Sequence, residues 1–220
     1  MGITQQIGAS SLIKPGVIDN TAARPASPYE GQVIFQKDTD QLLVWNGTAW
    51  VIPNSPAQNP TGLEFVSTTT VGTAVSSVTV SGAFSATYDH YVVNIVNMSM
   101  NSGGNYLRMA LNNVTGSNWY GNGYYMTAGS GTLYGFHNTG SNTQTIGVGD
   151  PNTFVNSTVY NPFVVAVPAI VSQYSAGGIS GYNGVVQGNA NSTASCTGFT
   201  ISAGGGTLTG GVITVYGIRK

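Results

Sequence analysis

Charge is what this sequence lacks most. Lysine and arginine contribute 6 residues and aspartate and glutamate 7, so charged residues form 6% of the 220, against roughly 25% in an average soluble domain. Eight of them lie in the first 64 positions, and Asp89, Arg108 and Asp150 are the charges between residues 65 and 218. Without clustered lysine and arginine, no nucleic acid partner is expected. Asn, Ser, Thr, Gly and Tyr must supply the polar surface instead, which is typical of extracellular or assembly-embedded β proteins.

Cysteine and long apolar runs are also scarce. Cys196 is the single cysteine, which excludes an intrachain disulfide and a cysteine-based metal site. No run of 18 apolar residues occurs, and the N-terminus has no basic segment followed by an apolar core, so neither membrane insertion nor a secretory signal is indicated. We therefore expect the chain to be made and left in the cytoplasm, unless it leaves by another route such as cell lysis.

Metal-binding patterns are missing as well. His90 and His137 have no further ligands near them at the spacings that metal sites use. The segment Asp38-Thr39-Asp40 begins like a calcium loop, but Leu42 occupies the third ligand position. We interpret it as a turn and expect no metal or cofactor.

The sequence offers little for catalysis. GxSxG, Walker and GxGxxG motifs do not occur. A glycosidase needs two carboxylates that flank a cleft, and the C-terminal region has Glu64, Asp89 and Asp150 to provide them. We therefore expect a protein that is not an enzyme and name no catalytic residue. An enzyme such as a depolymerase is kept as a hypothesis beside the two non-enzymatic ones given below.

Residues 24–52 predict a small β-meander. Two short apolar runs, 32–35 and 41–45, flank a polar connector with turn-forming aspartates, and Asn46-Gly47 is a strong hairpin signal before a third strand. Such a meander buries one face. The residues predicted to form its core are Val33, Phe35, Leu43, Trp45 and Trp50.

Residues 1–23 predict an extended arm. Glycines and Pro15 interrupt the segment too often for a stable helix. A purely solvated tail is usually depleted in isoleucine and leucine, so the apolar residues here favour an arm laid across a partner. The residues predicted to anchor it are Ile3, Ile7, Leu12, Ile13, Val17, Ile18 and Arg24.

Residues 63–220 follow a proline- and asparagine-containing linker, 53–62, and predict an all-β domain. The run 91–96 is rich in β-branched residues and predicts a central strand, whereas the polar run 154–160 predicts an edge strand. Pro168 confines its segment to an edge, a bulge or a strand end. Many short strands without helical periodicity indicate a β-sandwich of the jelly-roll type, with a long aromatic and glycine-rich loop over 112–144.

Three segments resemble fibre and virion-surface proteins of tailed bacteriophages, including those of cyanobacterial, marine and freshwater phages. They are IKPGVIDNTAARPASPYEGQVIFQKDTDQLLVWNGTAWV at residues 13–51, VGTAVSSVTVSGAFSATYDHYVVNI at 71–95 and TGFTISAGGGTLTGGVITVYGIRK at 197–220. The resemblance covers both ends of the chain and is loose over 112–190. It implies a virion protein on the particle's exterior, commonly a homotrimer, bound to capsid or tail proteins.

Two hypotheses for the C-terminal domain remain open. In the first, the protein is structural: residues 1–51 grip the capsid or tail, and a trimeric β knob is displayed, as in a capsid decoration protein, head fibre or short tail fibre. In the second, the knob is a receptor-binding module for host attachment that recognises a surface glycan. Aromatic side chains would then contact the ligand, although aromatic rings most often fill a core or a subunit interface. The candidates are Trp119, Tyr120, Tyr124, Tyr125 and Tyr134, with Phe136 nearby.

Overall fold

A computed structural model describes residues 15–53, 62–101, 105–177 and 181–219. The chain divides into two compact units, Met1–Pro60 and Thr61–Lys220. The division falls inside the predicted linker. Of the predicted anchoring residues, Ile3, Ile7, Leu12 and Ile13 lie outside the described residues, as does most of the linker.

The strands of the smaller unit are β1 Gly16–Ile18, β2 Val33–Gln36, β3 Gln41–Trp45 and β4 Trp50–Val51, with a 3-10 helix at Thr21–Ala23 between β1 and β2. They form one four-stranded sheet in the order β1-β2-β3-β4. The three strands predicted for the meander are β2, β3 and β4, in which β3 pairs with both neighbours in antiparallel fashion. Part of the predicted arm joins them, because β1 pairs with β2 in parallel.

The buried face of this sheet is centred on Ile34 and Leu43, which are opposite each other in register and 2% and 3% exposed. Leu43 was predicted to be in the core. Val33 and Phe35 were predicted there too, but they lie on the opposite face and are half-buried. Successive side chains of a strand alternate between its two faces. A prediction that assigns one residue of β2 to the wrong face therefore assigns its other residues to the wrong face as well.

The tryptophans and a buried glutamine complete that face. Trp45 and Trp50 form a cross-strand pair with ring centroids 5.6 Å apart in an edge-to-face arrangement, and both are half-buried. Gln36 is 1% exposed. Its amide is satisfied, as buried polar groups require: Arg24 Nε donates to Gln36 Oε1 over 2.8 Å, and Gln36 Nε2 donates to Thr21 Oγ1 over 3.2 Å. The segment around the 3-10 helix therefore covers the buried face.

The larger unit contains two antiparallel sheets. One has the order β10-β9-β14-β13-β12-β7-β17-β5, with β16 pairing β7 off that path, and the other has the order β11-β8-β15-β6. The strands are β5 Leu63–Thr70, β6 Ser77–Val80, β7 Tyr88–Met100, β8 Asn105–Leu111, β9 Trp119–Thr127, β10 Leu133–Ser141, β11 Gln144–Gly149, β12 Thr153–Tyr160, β13 Ala169–Ala176, β14 Tyr182–Ala190, β15 Phe199–Ala203, β16 Leu208–Thr209 and β17 Val212–Arg219.

Eight of these strands have the connectivity of a jelly roll. Counting β5, β6, β7, β8, β11, β12, β15 and β17 as first to eighth, one sheet runs first-eighth-third-sixth and the other second-seventh-fourth-fifth. The prediction of an all-β, jelly-roll-like sandwich is confirmed. The strand pairs β9–β10 and β13–β14 are additions that extend the larger sheet beyond β12.

Side chains from both sheets meet in one hydrophobic core. Ile95 and Ile213 enter it from the larger sheet, and Leu107 and Ile201 enter it from the smaller one. The predicted central strand over 91–96 lies within β7, between β12 and β17. Pro168 directly precedes β13, a strand end as predicted.

Two predictions about strands of the larger unit are wrong. The segment 112–144 is not one long loop, since it contains β9 and β10. The run 154–160 is not an edge, because β12 pairs with both β7 and β13. Ser157 of this run is buried in the sheet because its hydroxyl is hydrogen-bonded to that of Ser172 on β13, 2.8 Å away.

The first and last strands of the jelly roll are joined by an ion pair. Arg219 Nε and Nη2 donate to the two carboxylate oxygens of Glu64 over 2.6 and 2.8 Å. The Tyr88 hydroxyl donates to Glu64 Oε2 over 2.7 Å. These hydrogen bonds, first from Arg219 and then from Tyr88, lower the pKa of the Glu64 carboxyl. The ionised carboxylate is therefore favoured in the folded chain.

The contribution of Glu64 to stability is expected to depend on pH. Because the folded-state pKa is depressed, the contribution is complete above the ordinary value of 4.5. It is lost as the pH falls through the folded-state value. Urea unfolding of the full chain and of Glu64→Gln across this range should show a stability difference that shrinks on acidification. A difference that stays constant down to the acid limit would exclude this role for the carboxylate.

Candidate functional site

The aromatic residues predicted to contact a ligand divide between the two faces of the larger sheet. Side chains alternate along β9, so Trp119 and Tyr125 lie on the inner face and Tyr120 and Tyr124 on the outer one. Trp119 is 0% exposed, whereas Tyr120 and Tyr124 are 45% and 50% exposed. Tyr134 pairs with Tyr125 across β9 and β10 and belongs to the inner face, although it is itself exposed.

The inner group is a packed aromatic cluster around Tyr125. Its ring centroid lies 5.1 Å from that of Tyr134, 5.5 Å from Tyr182 and 6.3 Å from Phe136. Tyr106 of the smaller sheet reaches Phe136 at 5.4 Å. Burial raises the pKa of the Tyr125 hydroxyl, which stays protonated. These rings join the two sheets, and Tyr134 at the margin of the cluster is 46% exposed.

A groove of about 720 Å³ lies on the outer face of the extended sheet. Strands β10, β9, β14 and β13 form its floor, and Val167 from the connection before β13 stands at its side. The side chains that face outward from the floor are Tyr120, Asn122, His137, Thr139, Ala169, Val171, Gln187 and Asn189.

Strand register sets these side chains in two rows across the groove. One row runs from His137 through Asn122 and Gln187 to Val171, and the next from Thr139 through Tyr120 and Asn189 to Ala169. Gln187 Nε2 donates to Asn122 Oδ1 over 3.2 Å within the first row. The side-chain amides are therefore held next to one another on adjacent strands.

The groove continues into a smaller cavity beside Tyr124. This cavity has a volume of about 310 Å³ and is lined by Asn122, Gly123, Tyr124, Val185 and Gln187. Because Asn122 and Gln187 line both spaces, the two form one elongated surface with an exposed tyrosine at each end. Tyrosine rings offer apolar faces and a hydroxyl for contact with a ligand.

The groove is rich in side chains that both donate and accept hydrogen bonds. No residue that lines either cavity is Asp, Glu, Lys or Arg. Within the part of the chain that the structure describes, the side chains of Asn189 and His137 bond to no other residue. Such an arrangement supports non-covalent binding of a polar, neutral partner.

Titratable side chains form no metal-binding group among the described residues: no three His, Cys, Asp or Glu side chains lie together in a way that could hold a metal ion. Glu64 is engaged by Arg219 and Tyr88. Cys196 is free and fully buried, and burial raises the pKa of its thiol to about 11. Its thiol is therefore not set up as a nucleophile.

The second face of the small sheet is apolar and partly exposed. We call it the open face. Val17 and Leu42 on it are 56% and 41% exposed, and the others are half-buried. By register and alternation, its residues are Val17, Val33, Phe35, Leu42, Val44 and Val51.

The predicted anchoring residues that the structure describes thus have different positions. Val17 belongs to the open face. Ile18 is half-buried on the other face, opposite Gln36. Arg24 is engaged within the unit by its bond to Gln36. The sequence did not indicate Leu42 or Val44 as surface residues, because only the register shows which of two adjacent apolar residues points outward.

The groove amides were also not predicted. A signal exists in β14, where Asn183, Gln187 and Asn189 lie even numbers of positions apart and so fall on one face of a strand. No local pattern shows that this strand pairs with β9, which brings Gln187 next to Asn122.

No family model matches the chain, and no curated protein or solved structure is significantly similar to it. None of the helices in the described residues is long and apolar enough to cross a membrane.

Proposed function

We propose that this chain is a structural protein on the exterior of a tailed-bacteriophage virion. The small N-terminal unit attaches to the capsid or tail, and the jelly-roll unit is displayed, as in a capsid decoration protein, head fibre or short tail fibre. The observation that carries the proposal is the open face of the small sheet, together with the resemblance of residues 13–51 to phage proteins.

The open face has the properties of a docking surface for a virion protein. A contiguous apolar face on so small a unit is unfavourable in water and is characteristic of interaction sites. Val17, at 56% exposure, stands at its β1 edge and belongs to the arm predicted to anchor the chain. Covering this face with a virion surface would remove apolar area from water and so stabilise the attachment.

The jelly-roll unit suits display. It keeps very few charges and an outer sheet of amide, hydroxyl and aromatic side chains. A surface of this composition is suited to packing between β subunits or to neutral ligands. Exposed Leu63 and Phe65 on the edge strand β5, at 57% and 63%, support association of jelly-roll units in a homotrimer.

Attachment can be tested by placing charges on the open face. In the double variant Val17→Asp and Leu42→Asp, both side chains are exposed enough for the unit to remain folded. Carboxylates buried against a virion protein would be strongly unfavourable. Particles assembled with this variant should carry little or none of it, as measured by quantitative immunoblot of purified virions.

The control is Ile52→Asp, since Ile52 is 41% exposed, like Leu42, but lies beyond the end of β4. This variant should enter particles at the level of the unchanged chain. If the double variant, folded by circular dichroism, incorporates equally well, the open face is not the attachment surface. Absence of the unchanged chain from virions would refute the virion role altogether.

A second candidate function is recognition of a host surface glycan during adsorption. The groove favours it, because side-chain amides and two exposed tyrosines line one continuous outward surface. Tyr120 and Tyr124 are the two predicted contact residues that face the groove. The two functions are compatible, since attachment uses the small unit and recognition uses the larger one.

A further inference from the structure

We propose that the groove on the outer face of β10, β9, β14 and β13 binds an uncharged glycan through the side chains of Asn122, Gln187 and Asn189, with Tyr120 as an apolar platform. The inference deepens the recognition role proposed above and rests on it. It assigns the chemical class of the ligand and the residues that select it.

The groove has the volume of a ligand site and a rigid floor. Its volume of about 720 Å³ lies within the roughly 300–1,000 Å³ of small-molecule sites. Its floor is built from four neighbouring strands, so the contacting side chains stand on a rigid element and not on loops. Little ordering of the protein is therefore needed when a ligand binds.

Side-chain amides match the hydroxyls of a sugar. An amide presents two donors and an acceptor with two lone pairs, and a hydroxyl also donates and accepts. Asn122 and Gln187 are fixed relative to each other by their 3.2 Å hydrogen bond, while Asn189 has no partner among the described residues. The first pair can orient a ligand, and Asn189 can bond to it without giving up a bond within the protein.

Tyr120 supplies the apolar contact. It is 45% exposed, lies opposite Asn189 in the strand register, and belongs to the row next to Gln187. A ring that is half exposed at the floor of a polar groove can cover the C–H face of a sugar while the amides bond to its edge. Val167, 44% exposed, bounds the groove from the side of β13.

The lack of Lys and Arg in the lining selects against anionic glycans. A sulfate or carboxylate brought into the groove would lose part of its hydration. None of the lining residues is Lys or Arg to compensate by an ion pair. Neutral hydroxyls lose less on leaving water and recover hydrogen bonds from the amides. The groove should therefore prefer a neutral sugar over a sulfated one with the same backbone.

Calorimetric titration of the full chain tests this with paired probes. Dextran is paired with dextran sulfate, and neutral galactan oligosaccharides are paired with the sulfated galactan oligosaccharides of carrageenan. At least one neutral probe should bind, and its anionic counterpart should bind at least about tenfold more weakly. Asn189→Ala should weaken the neutral binding by about three- to tenfold, the effect of one lost hydrogen bond.

Asn183→Ala is the matched control. Asn183 lies on the same strand and the same face as Asn189 and is also exposed, but it does not line the groove. It should bind like the unchanged chain. No binding by any neutral probe, preference for anionic probes, or equal loss in both variants would each overturn the inference. A change of sedimentation coefficient in Asn189→Ala without a change in binding would overturn it in favour of a subunit interface.

The two proposals can fail separately. Glycan binding is measured on the purified chain, and incorporation is measured on virions. A chain that incorporates but binds no neutral glycan retains the structural role and loses the ligand assignment. A chain that binds but is absent from virions keeps the groove and loses the virion role.

Discussion

Gly184→Ala is expected to destabilise the jelly-roll unit by about 3 kcal/mol or more, beyond the usual range for overpacking. A Cβ at this position of β14 would overlap the backbone oxygen of Tyr124 and lie 2.8 Å from the Tyr174 hydroxyl. A backbone oxygen in a paired strand cannot move aside without breaking the ladder. Tyr174 cannot turn away because it is 5% exposed. Urea unfolding monitored by circular dichroism gives the free energy of unfolding.

The matched control is Gly135→Ala on β10. This glycine pairs with Tyr124 from the other side of β9, and a Cβ there would meet nothing within 4 Å. Loss of glycine flexibility in the unfolded chain should leave its stability unchanged or raise it by about 0.4–1 kcal/mol. Equal stability of the two variants would mean that β9 and β14 are not as close as described.

Trp119→Ala is expected to cost about 3 kcal/mol of unfolding free energy, the lower end of large aromatic truncations. The ring is 0% exposed and belongs to the main hydrophobic core. The lower end is expected because its indole Nε1 is buried without a hydrogen-bond partner among the described residues. Truncation removes that unfavourable group together with the favourable apolar contacts.

Tyr120→Ala is the comparison for Trp119→Ala. Tyr120 is the next residue of β9 and faces outward at 45% exposure, so its truncation should change stability by no more than about 0.5 kcal/mol. Thermal unfolding of both variants measures the difference. Similar losses in the two would contradict the assignment of these neighbours to opposite faces.

Local sequence patterns predicted those strands whose own residues, or the turns next to them, carry a clear β signal. The dense β-branched run in β7 and the asparagine-glycine turn between β3 and β4 are of this kind. They failed for β9 and β10 because glycine has a low strand propensity. Gly121 and Gly123 are nevertheless needed there, since a Cβ on either would lie within 2.6 Å of a backbone oxygen of β14.

The candidate site depended on pairing that no local pattern reveals. Aromatic richness drew attention to residues 119–136, but strand alternation sends Trp119 and Tyr125 inward and Tyr120 and Tyr124 outward. The amides of β14 join the outer tyrosines only because that strand lies beside β9. Composition could therefore indicate the kind of surface but not which residues form it.

The order of strands in the larger sheet also has a mechanical consequence. The jelly-roll unit begins with β5 at one edge of this sheet, while the proposed glycan groove lies across the strands at the other edge. Tension between the N-terminal attachment and a ligand held in the groove would cross the sheet from strand to strand. The load would fall on the backbone hydrogen bonds between each pair of neighbouring strands. Between β5 and β17 it would also fall on the two hydrogen bonds from Arg219 to Glu64.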